Sequence, residues 1–230
     1  MNFSIIIPTL NEADNIQSCL QSVQAQNQPH EIIIVDAGSM DNTIENARPL
    51  ADKIIRFDKG RATQMNKGAK YASGDILLFL HADTHLPTNA LDSLSQLFKQ
   101  HHNTWGRFNI TLTGQHPLLK MIAWFMNWRS CLTGIATGDQ VIFVKKSLFE
   151  QVNGYAEIAL MEDVELCSRL KKISRPHCLK TRVISSGRRW EQYGVVKVVV
   201  LMWSIRLRYF FGEAPETLNT LYTKGKLWKT

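Results

Sequence analysis

Acidic side chains and a histidine directly follow apolar runs of the chain. The run Ile76–Leu80 leads into His81 and Asp83, and the run Ile32–Val35 leads into Asp36. Carboxylate oxygens are the ligands that Mg²⁺ and Mn²⁺ prefer, and they accept hydrogen bonds from hydroxyl and N–H groups. Asp and Asn after a strand are equally ordinary turn and cap residues. Which of these two interpretations holds depends on whether the side chains meet in one place.

Two other segments place charged residues where a helix pattern begins. Arg61 opens a helical segment after Gly60, where a guanidinium could clamp a phosphate or remain an exposed first-turn residue. "MEDVELC" puts Glu162 and Asp163 in the first turn of another helix. Acidic residues there gain ~0.3–1 kcal/mol from the helix dipole without any catalytic role.

The elements around these residues indicate an α/β fold. In the first hundred residues, short apolar runs such as "FSIIIP" and "EIIIVD" alternate four times with amphipathic helix patterns, including Arg61–Ser73 closed by Gly74. Such runs predict a mostly parallel sheet flanked by helices on both faces. The carboxyl ends of parallel strands share one edge, and ligands bind at that edge. We therefore expect the candidate residues to share a crevice.

After His101 the pattern is less regular. It predicts a strand at "WGRFNITLTG", an aromatic amphipathic helix at "PLLKMIAWFMNWRSCLTG" and a strand at "DQVIFVKK". A helix at "LMEDVELCSRLKK", a strand at "CLKTRVIS" and a basic aromatic helix over Tyr193–Phe211 follow. We expect residues 1–190 to form one domain. Residues 191–230 are expected to form a basic amphipathic helical extension packed on or next to it.

Composition and charge limit the classes of partner and the compartment that are expected. The net charge is +7, and from Arg182 onward nine Lys and Arg face three Glu. This excess favours an anionic partner or a solvated surface. No nucleic-acid motif is recognisable. Four scattered cysteines without a C-x-x-C pair, no signal peptide and no apolar run near 20 residues predict a cytoplasmic protein. Residues 193–211 either lie on an anionic membrane face, which suits a lipid-linked acceptor, or pack on the domain.

Five segments resemble, in order, a family 2 glycosyltransferase of the GT-A fold, the nucleotide-diphospho-sugar transferase fold. They are "SIIIPTLNEADNI", "IIIVDAGSMDNT", "ASGDILLFLHADT", "GDQVIFVKKSLFEQVNGY" and "MEDVELCSRL". "GRATQMN" and a basic tail with "RRW" resemble a short cytoplasmic subgroup of bacterial type.

The resemblance implies a nucleotide-sugar donor, UDP-linked, and a divalent cation. The metal motif D-x-D falls on His81–Asp83, so Asp83 becomes the ligand of Mn²⁺ or Mg²⁺, and His81 contacts the nucleotide or a metal-bound water. The first Asp of the motif is replaced by His81, and a second carboxylate usual after Asp36 is replaced by Ala37. The nucleoside pocket is implied to consist of Pro8, Thr9, Glu12 and Asp36.

The remaining residues receive roles from the same resemblance. Asp139 and Gln140 are implied to bond hydroxyls of donor or acceptor, and Arg61 to hold the phosphates or nucleoside. The implied closing segment over the diphosphate consists of Arg188, Arg189 and Trp190. Asp163 is the expected general base, with Glu162 assisting or orienting it.

We therefore predict a metal-dependent, inverting glycosyltransferase that acts on an unidentified acceptor hydroxyl. A sugar-phosphate nucleotidyltransferase is one alternative, although "PTLNEADN" lacks the Gly- and Arg/Lys-rich loop such enzymes use to hold a triphosphate. A non-catalytic nucleotide- or RNA-binding protein is another. The oligomeric state, the sugar and the acceptor stay open.

Overall fold

A computed structural model describes residues 1–102 and 104–224. The first half contains β1 (Phe3–Thr9), α1 (Ala13–Gln24), β2 (His30–Asp36), α2 (Thr43–Ala47), β3 (Lys53–Arg56), α3 (Arg61–Tyr71), β4 (Ile76–Phe79), β5 (Thr84–His85) and α4 (Ala90–Gln100). The second half contains β6 (Trp105–Thr113), α5 (Leu118–Thr133), a 3₁₀ helix (Gly138–Gln140), β7 (Ile142–Lys145), α6 (Lys146–Gln151), α7 (Glu162–Leu170), β8 (His177–Ser186), α8 (Arg188–Tyr193), α9 (Val195–Phe210) and α10 (Pro215–Lys224). Residues 225–230 of the predicted extension lie outside the described residues.

The sheet has eight strands in the order β3-β2-β1-β4-β7-β6-β8-β5. Strands β3, β2, β1 and β4 pair in parallel, as the alternating pattern predicts. Strand β7 runs antiparallel to both β4 and β6, and β8 is parallel to β6. Because β7 runs the opposite way, its first residue lies at the edge where β4 and β8 end. The mostly parallel α/β sheet flanked by helices is confirmed.

The sheet separates two apolar cores. Side chains alternate across a strand, so Ile5 and Ile7 of β1 pack with α1 and α4, whereas Ile6 packs on the other face. The central strands are buried on both faces, which is why their sequences read as unbroken apolar runs. Burial of both faces fixes the strand register and therefore the positions of the residues that follow each strand.

The C-terminal helices pack on the segment before α7. Leu160 and Met161 share a third apolar cluster with residues of α9 and α10, which are Leu201, Ile205, Leu218 and Leu221. The predicted division at residue 190 falls inside α8, and the two-part organisation stays a prediction. No helix within residues 1–102 and 104–224 is long and apolar enough to cross a bilayer.

The start of α1 is bonded to the loop after β2. Asn11 does not cap this helix, because it has a left-handed backbone with φ of 54° and its Oδ1 accepts the N–H of Met40. Glu12 occupies the cap position instead, and its N–H donates to the hydroxyl of Thr43. The loops after β1 and β2 are thus bonded to each other.

Candidate active site

One edge of the sheet collects the predicted residues. The carboxyl ends of β1, β2, β4 and β8 and the start of β7 lie there, since β7 is reversed. Helices α3 and α7 bring their N-terminal ends to the same region, because Arg61 at the start of α3 pairs with Glu162 at the start of α7. Segments far apart in the sequence therefore become neighbours.

The carboxylate of Asp36 is surrounded by hydrogen-bond donors of the protein. Its Oδ1 accepts hydroxyl hydrogen bonds from Thr9 at 3.0 Å and Ser39 at 2.5 Å, and its Oδ2 accepts the N–H groups of Gly38 and Ser39 at 2.9 Å. A carboxylate has about four acceptor positions, and all are filled by protein donors. Asp36 and Thr9 are both buried. These two side chains therefore hold the loop in shape, and their part in a nucleoside pocket stays a prediction.

That loop lines an open hollow of about 500 Å³. Its lining residues are Ala37, Gly38, Ser39, Met40, Arg56, Phe57 and Asp58. Pro8 and Glu12 are half-buried near the end of β1, and the Glu12 carboxylate accepts a bond from Asn15 at 2.8 Å. Ala37, which replaces the second carboxylate usual in the family, lines this hollow, whereas Asp36 does not.

His81 connects the end of β4 to the 3₁₀ helix. Its Nδ1 lies 3.2 Å from Oδ1 of Asp139. A Cβ on Gly138 would lie 2.4 Å from His81 Nε2, so the imidazole packs directly against a glycine. Desolvation opposes ionisation of Asp139, but the hydrogen bond and charge of His81, with the charges of Arg61 and Arg189, outweigh it and lower the pKa of this carboxyl.

Asp83 has spare acceptor capacity. It is half-buried, and within the described residues its carboxylate accepts one long bond, 3.5 Å from Thr84 Oγ1. No group of three or more His, Cys, Asp or Glu in residues 1–102 and 104–224 is arranged to hold a metal ion. Mg²⁺ bound with a diphosphate needs only one or two protein carboxylates, because phosphate and water supply the other ligands. Asp83 fits that arrangement.

Asp163 lies beside the same 3₁₀ helix. Its Oδ2 accepts the N–H of Gly138 at 3.0 Å, and its Oδ1 accepts the N–H of Val164 at 2.7 Å. The neighbouring Glu162 is buried, and its Oε1 lies 3.4 Å from Nη1 of Arg61. Burial and the charge of Asp163 raise the pKa of Glu162, and Arg61 opposes this. Glu162 therefore holds Arg61 at the site and itself has little access to solvent.

A family model described as glycosyl transferase family 2 matches residues 4–144, which is more than half of the chain. The chain belongs to glycosyl transferase family 2. Among curated relatives, glycosyltransferase AglE of Haloferax volcanii is 39% identical over 90 residues, 35% of this chain and 30% of the relative. A dolichol-phosphate mannosyltransferase of Pyrococcus furiosus is 34% identical over 107 residues, 43% of this chain and 30% of the relative. The chain therefore matches about a third of these relatives' length.

Solved structures of similar fold identify this family 2 domain as a GT-A fold. S. aureus TarS 1–349 in complex with UDP superposes with a TM-score of 0.67 at 19% identity, covering 86% of this chain and 64% of that TarS fragment. The mannosyltransferase PcManGT of Pyrobaculum calidifontis, solved with GDP-Man and Mn²⁺, superposes with a TM-score of 0.66 at 18% identity, covering 98% of this chain and 69% of PcManGT.

Two residues to which the family resemblance assigns ligand contacts have side chains that contact the protein itself. Gln140 is buried and donates to Asn127 Oδ1 and Ser130 Oγ of α5, so it fixes the 3₁₀ helix to α5. Trp190 is partly buried and packs against the apolar core around α1 and β6. Their contacts to a bound sugar or diphosphate stay predictions. In each case the side chain can be buried locally, which the motif does not reveal.

The two consecutive arginines at the start of α8 differ in their exposure and contacts. Arg188 is exposed, whereas Arg189 donates to the carbonyl of Tyr222 on α10 and lies 3.7 Å from that ring's centre. Arg189 is close enough to Asp139 to lower its pKa. Tyr222 is not among the sequence-based candidates, because nothing in the predicted extension over residues 191–230 indicates that it folds back toward Arg189.

Two further arginines beside Asp163 were also missed. Burial and the nearby charge of Arg206 lower the pKa of Arg129 to about 10, and Asp163 opposes this. One buried N–H of Arg206, at Nη2, has no hydrogen-bond partner within the described residues. Arg129 and Arg206 lie on apolar helices α5 and α9, where the sequence gives no sign that they approach an acidic residue 30 positions or more away.

Proposed function

We propose that this chain transfers a sugar from a UDP-linked donor to an acceptor hydroxyl, with inversion and with a divalent cation. The observation that carries the proposal is the position of Asp163, fixed by the Gly138 N–H on the 3₁₀ helix that also contacts His81. A carboxylate is thereby held next to the sheet edge that carries Asp83. Membership of glycosyl transferase family 2 supports the same chemistry.

Asp163 is the general base of this proposal. Each of its oxygens accepts one N–H, so each retains an acceptor position for the hydroxyl of the acceptor. As the proton moves to Asp163, the acceptor oxygen bonds to the anomeric carbon, and the bond from that carbon to the diphosphate oxygen breaks. The electron pair leaves with UDP, and attack from the opposite side inverts the anomeric configuration.

The leaving diphosphate is held by cationic groups. Asp83 would hold Mn²⁺ or Mg²⁺, which when bound neutralises charge developing on UDP. Arg61 is about half exposed and is anchored by Glu162, so its free donors are oriented before the donor binds. Arg188 and Arg189 of α8 would approach the diphosphate from the end of β8. His81 orients Asp139, whose ionised carboxyl remains available for a sugar hydroxyl.

The nucleoside half of the donor fits the hollow lined by residues 37–40 and 56–58. The nucleoside would also contact the end of β1 through Pro8 and Glu12, while Asp36 and Thr9 hold the loop after β2 in shape. TarS is described in complex with UDP, and PcManGT with GDP-Man. We favour UDP, and the experiment below compares uridine with guanosine nucleotides directly. We also place the protein in the cytoplasm.

A thermal-shift screen of nucleotides and nucleotide sugars, with and without Mn²⁺ or Mg²⁺, tests donor binding. A ligand at 100 times its Kd stabilises the native state by about 2.7 kcal/mol. We expect UDP compounds to raise Tm more than GDP compounds, and the cation to increase the shift. Asp83→Asn should lose the cation-dependent part alone. Equal shifts with every nucleotide, or none, would contradict the proposal.

Asp163→Asn tests the base. The amide keeps the shape but takes no proton, so we expect transfer to fall by about 10²–10⁴-fold. The UDP-sugar thermal shift should remain. Glu165→Gln is the matched control on the same helix, because Glu165 pairs with Arg169 away from the site. Normal turnover by Asp163→Asn would refute the assignment, and release of pyrophosphate in place of UDP would indicate a nucleotidyltransferase.

A further inference from the structure

Helices α5 and α9 are apolar on two sides. Their inner faces pack in the core through residues such as Ile122 and Leu201. Their outer faces expose a second apolar stripe at helical spacing, at positions 121, 124, 128 and 132 on α5 and 196, 200, 203 and 207 on α9. A helix that is apolar on its solvent side lacks a partner for that side.

The two outer stripes form one continuous surface, called here the α5–α9 face. The rings of Phe125 and Trp203 stack with centroids 6.0 Å apart, and those of Trp124 and Trp128 stack at 6.3 Å. Of the fifteen exposed large apolar side chains in the described part of the chain, nine lie on these helices, and Phe211 directly follows α9. Trp124, Trp128 and Trp203 are 63%, 51% and 61% exposed. Contiguous exposure of this kind marks an interaction surface.

The charge of the α5–α9 face has one sign. The two helices contain five Lys and Arg and no Asp or Glu. Lys120 and Lys197 are exposed; Lys120 directly precedes Met121 and Lys197 directly follows Val196, both residues of the apolar stripes. Helices that lie in a membrane interface combine an apolar face with basic residues, and tryptophan is enriched at the depth of the lipid headgroups.

We propose that the α5–α9 face docks on the surface of an anionic lipid bilayer. A second copy of this chain is a poorer occupant, because a twofold contact would set basic residues against basic residues. An anionic bilayer instead provides an apolar layer for the tryptophans and negative headgroups for the lysines. The attraction of each basic residue to such a surface weakens at high salt.

The α5–α9 face adjoins the candidate active site. Helix α5 leads into the 3₁₀ helix that holds Asp163, and α9 follows α8, which carries Arg189. Arg129 of α5 and Arg206 of α9 both lie near Asp163. Docking would therefore turn the Asp163 side of the crevice toward the bilayer. This orientation rests on the proposed function, since it gives the base access to an acceptor carried by a lipid.

Co-sedimentation of the full chain with vesicles tests the docking. Vesicles of phosphatidylcholine with about one third phosphatidylglycerol should bind the protein, and pure phosphatidylcholine should bind it at least about tenfold less. Raising the salt from about 0.1 M to about 0.5 M should weaken binding. Trp124→Ser combined with Trp203→Ser should reduce binding about tenfold or more, and the control Ile173→Ser, an exposed apolar residue outside the face, should not.

A charge-matched pair of variants separates local from general electrostatics. Lys120→Glu with Lys197→Glu should abolish the preference for anionic vesicles, whereas Lys99→Glu with Lys172→Glu changes net charge equally at exposed sites outside the face and should preserve it. Equal effects of both pairs would overturn the proposal, as would wild-type protein that ignores anionic vesicles or dimerises through the tryptophans. The UDP-sugar thermal shift, measured without lipid, reports separately on the proposed function.

Discussion

Arg61 and Glu162 form an ion pair between residues 101 positions apart, and its two ends differ in exposure. The Arg61 side chain is 45% exposed, whereas that of Glu162 is 5% exposed. Removing the guanidinium therefore leaves a buried carboxylate without its counter-charge. A carboxylate in that position is costly, and much of the cost is the desolvation of the charge that remains.

Arg61→Met should lower the free energy of unfolding by about 1–3 kcal/mol near neutral pH. Burial and the charge of Asp163 raise the folded-state pKa of Glu162, so the native protein binds this proton at a higher pH than the unfolded chain does, and acidification should shrink the penalty. Urea unfolding at about pH 5 and about pH 7.5 checks the sign. The double variant Arg61→Met with Glu162→Gln should regain stability at neutral pH. A single variant as stable as wild type at both pH values would contradict the pairing.

The predicted site residues differ in what their side chains contact. Asp163 and His81 carry side chains that reach the 3₁₀ helix across the crevice. Asp36, Gln140 and Trp190 lie in similar motifs, yet their side chains contact the protein itself. Asp36 and Gln140 are hydrogen-bonded to neighbouring residues, and Trp190 packs on the core. Spacing fixes where a backbone position falls, but it does not fix which partners saturate the side chain.

At the scale of elements, Glu31 joins three parts of the sheet. Its Oε1 accepts hydroxyl bonds from Ser4 of β1 at 2.6 Å and from Ser73 at 2.8 Å, and its Oε2 accepts from Lys53 of β3 at 2.8 Å. Partial burial would raise the pKa of Glu31, but these bonds outweigh it and lower that pKa to about 2. The carboxylate thus ties β2 to both neighbours and to the turn before β4.

Glu31→Gln should lower the free energy of unfolding by about 2 kcal/mol at neutral pH, after allowance for partial exposure. The folded pKa lies below the unfolded value of 4.5, so the stabilisation is present above about pH 4.5 and fades as pH falls toward 2. Chemical unfolding across that range measures it. Glu150→Gln, at an exposed position of α6, is the control and should change stability little. A constant difference between variant and wild type at all pH values would argue against Glu31 as the source.

The elements that the sequence predicted are those with a strong local signal. Strands β1 to β4 are unbroken apolar runs, and α3 ends close to the glycine that was expected to close it. The 3₁₀ helix was taken as the start of β7, because three residues are too few to show a helical period. The pattern over Tyr193–Phe211 does not indicate α8, and α10 is not separated within the helical extension predicted over residues 191–230, since its apolar residues are sparse and gain a partner only in the third cluster.

At the scale of the whole molecule, the C-terminal helices complete the site. Leu218 and Leu221 of α10 are buried with Leu160 and Met161, the residues that directly precede α7. Tyr222, next along α10, accepts a bond from Arg189 through its carbonyl. The packing of α10 therefore affects both the start of α7, where Asp163 lies, and the position of Arg189.

Leu218→Ala should destabilise the protein by about 2–4 kcal/mol, because it removes apolar atoms from a buried position and leaves a cavity. Transfer activity should also fall, since Arg189 loses its anchor on α10. Thermal unfolding and a UDP-release assay without lipid measure the two effects. Leu207→Ala, on the exposed side of α9, should leave stability within about 0.5 kcal/mol. Unchanged activity in a clearly destabilised Leu218→Ala protein would show that α10 does not support the site.

The sequence by itself determined the alternation of strands and helices, the mostly parallel sheet and the family. These follow from periodicity, turn residues and motif order, which are properties of neighbouring residues. Only the tertiary structure decided which motif residues face the crevice, because that depends on the reversal of β7 and on contacts such as Arg61 with Glu162. It also decided that α5 and α9 share one exposed apolar face, since two helices far apart in the chain align only when the sheet brings them together.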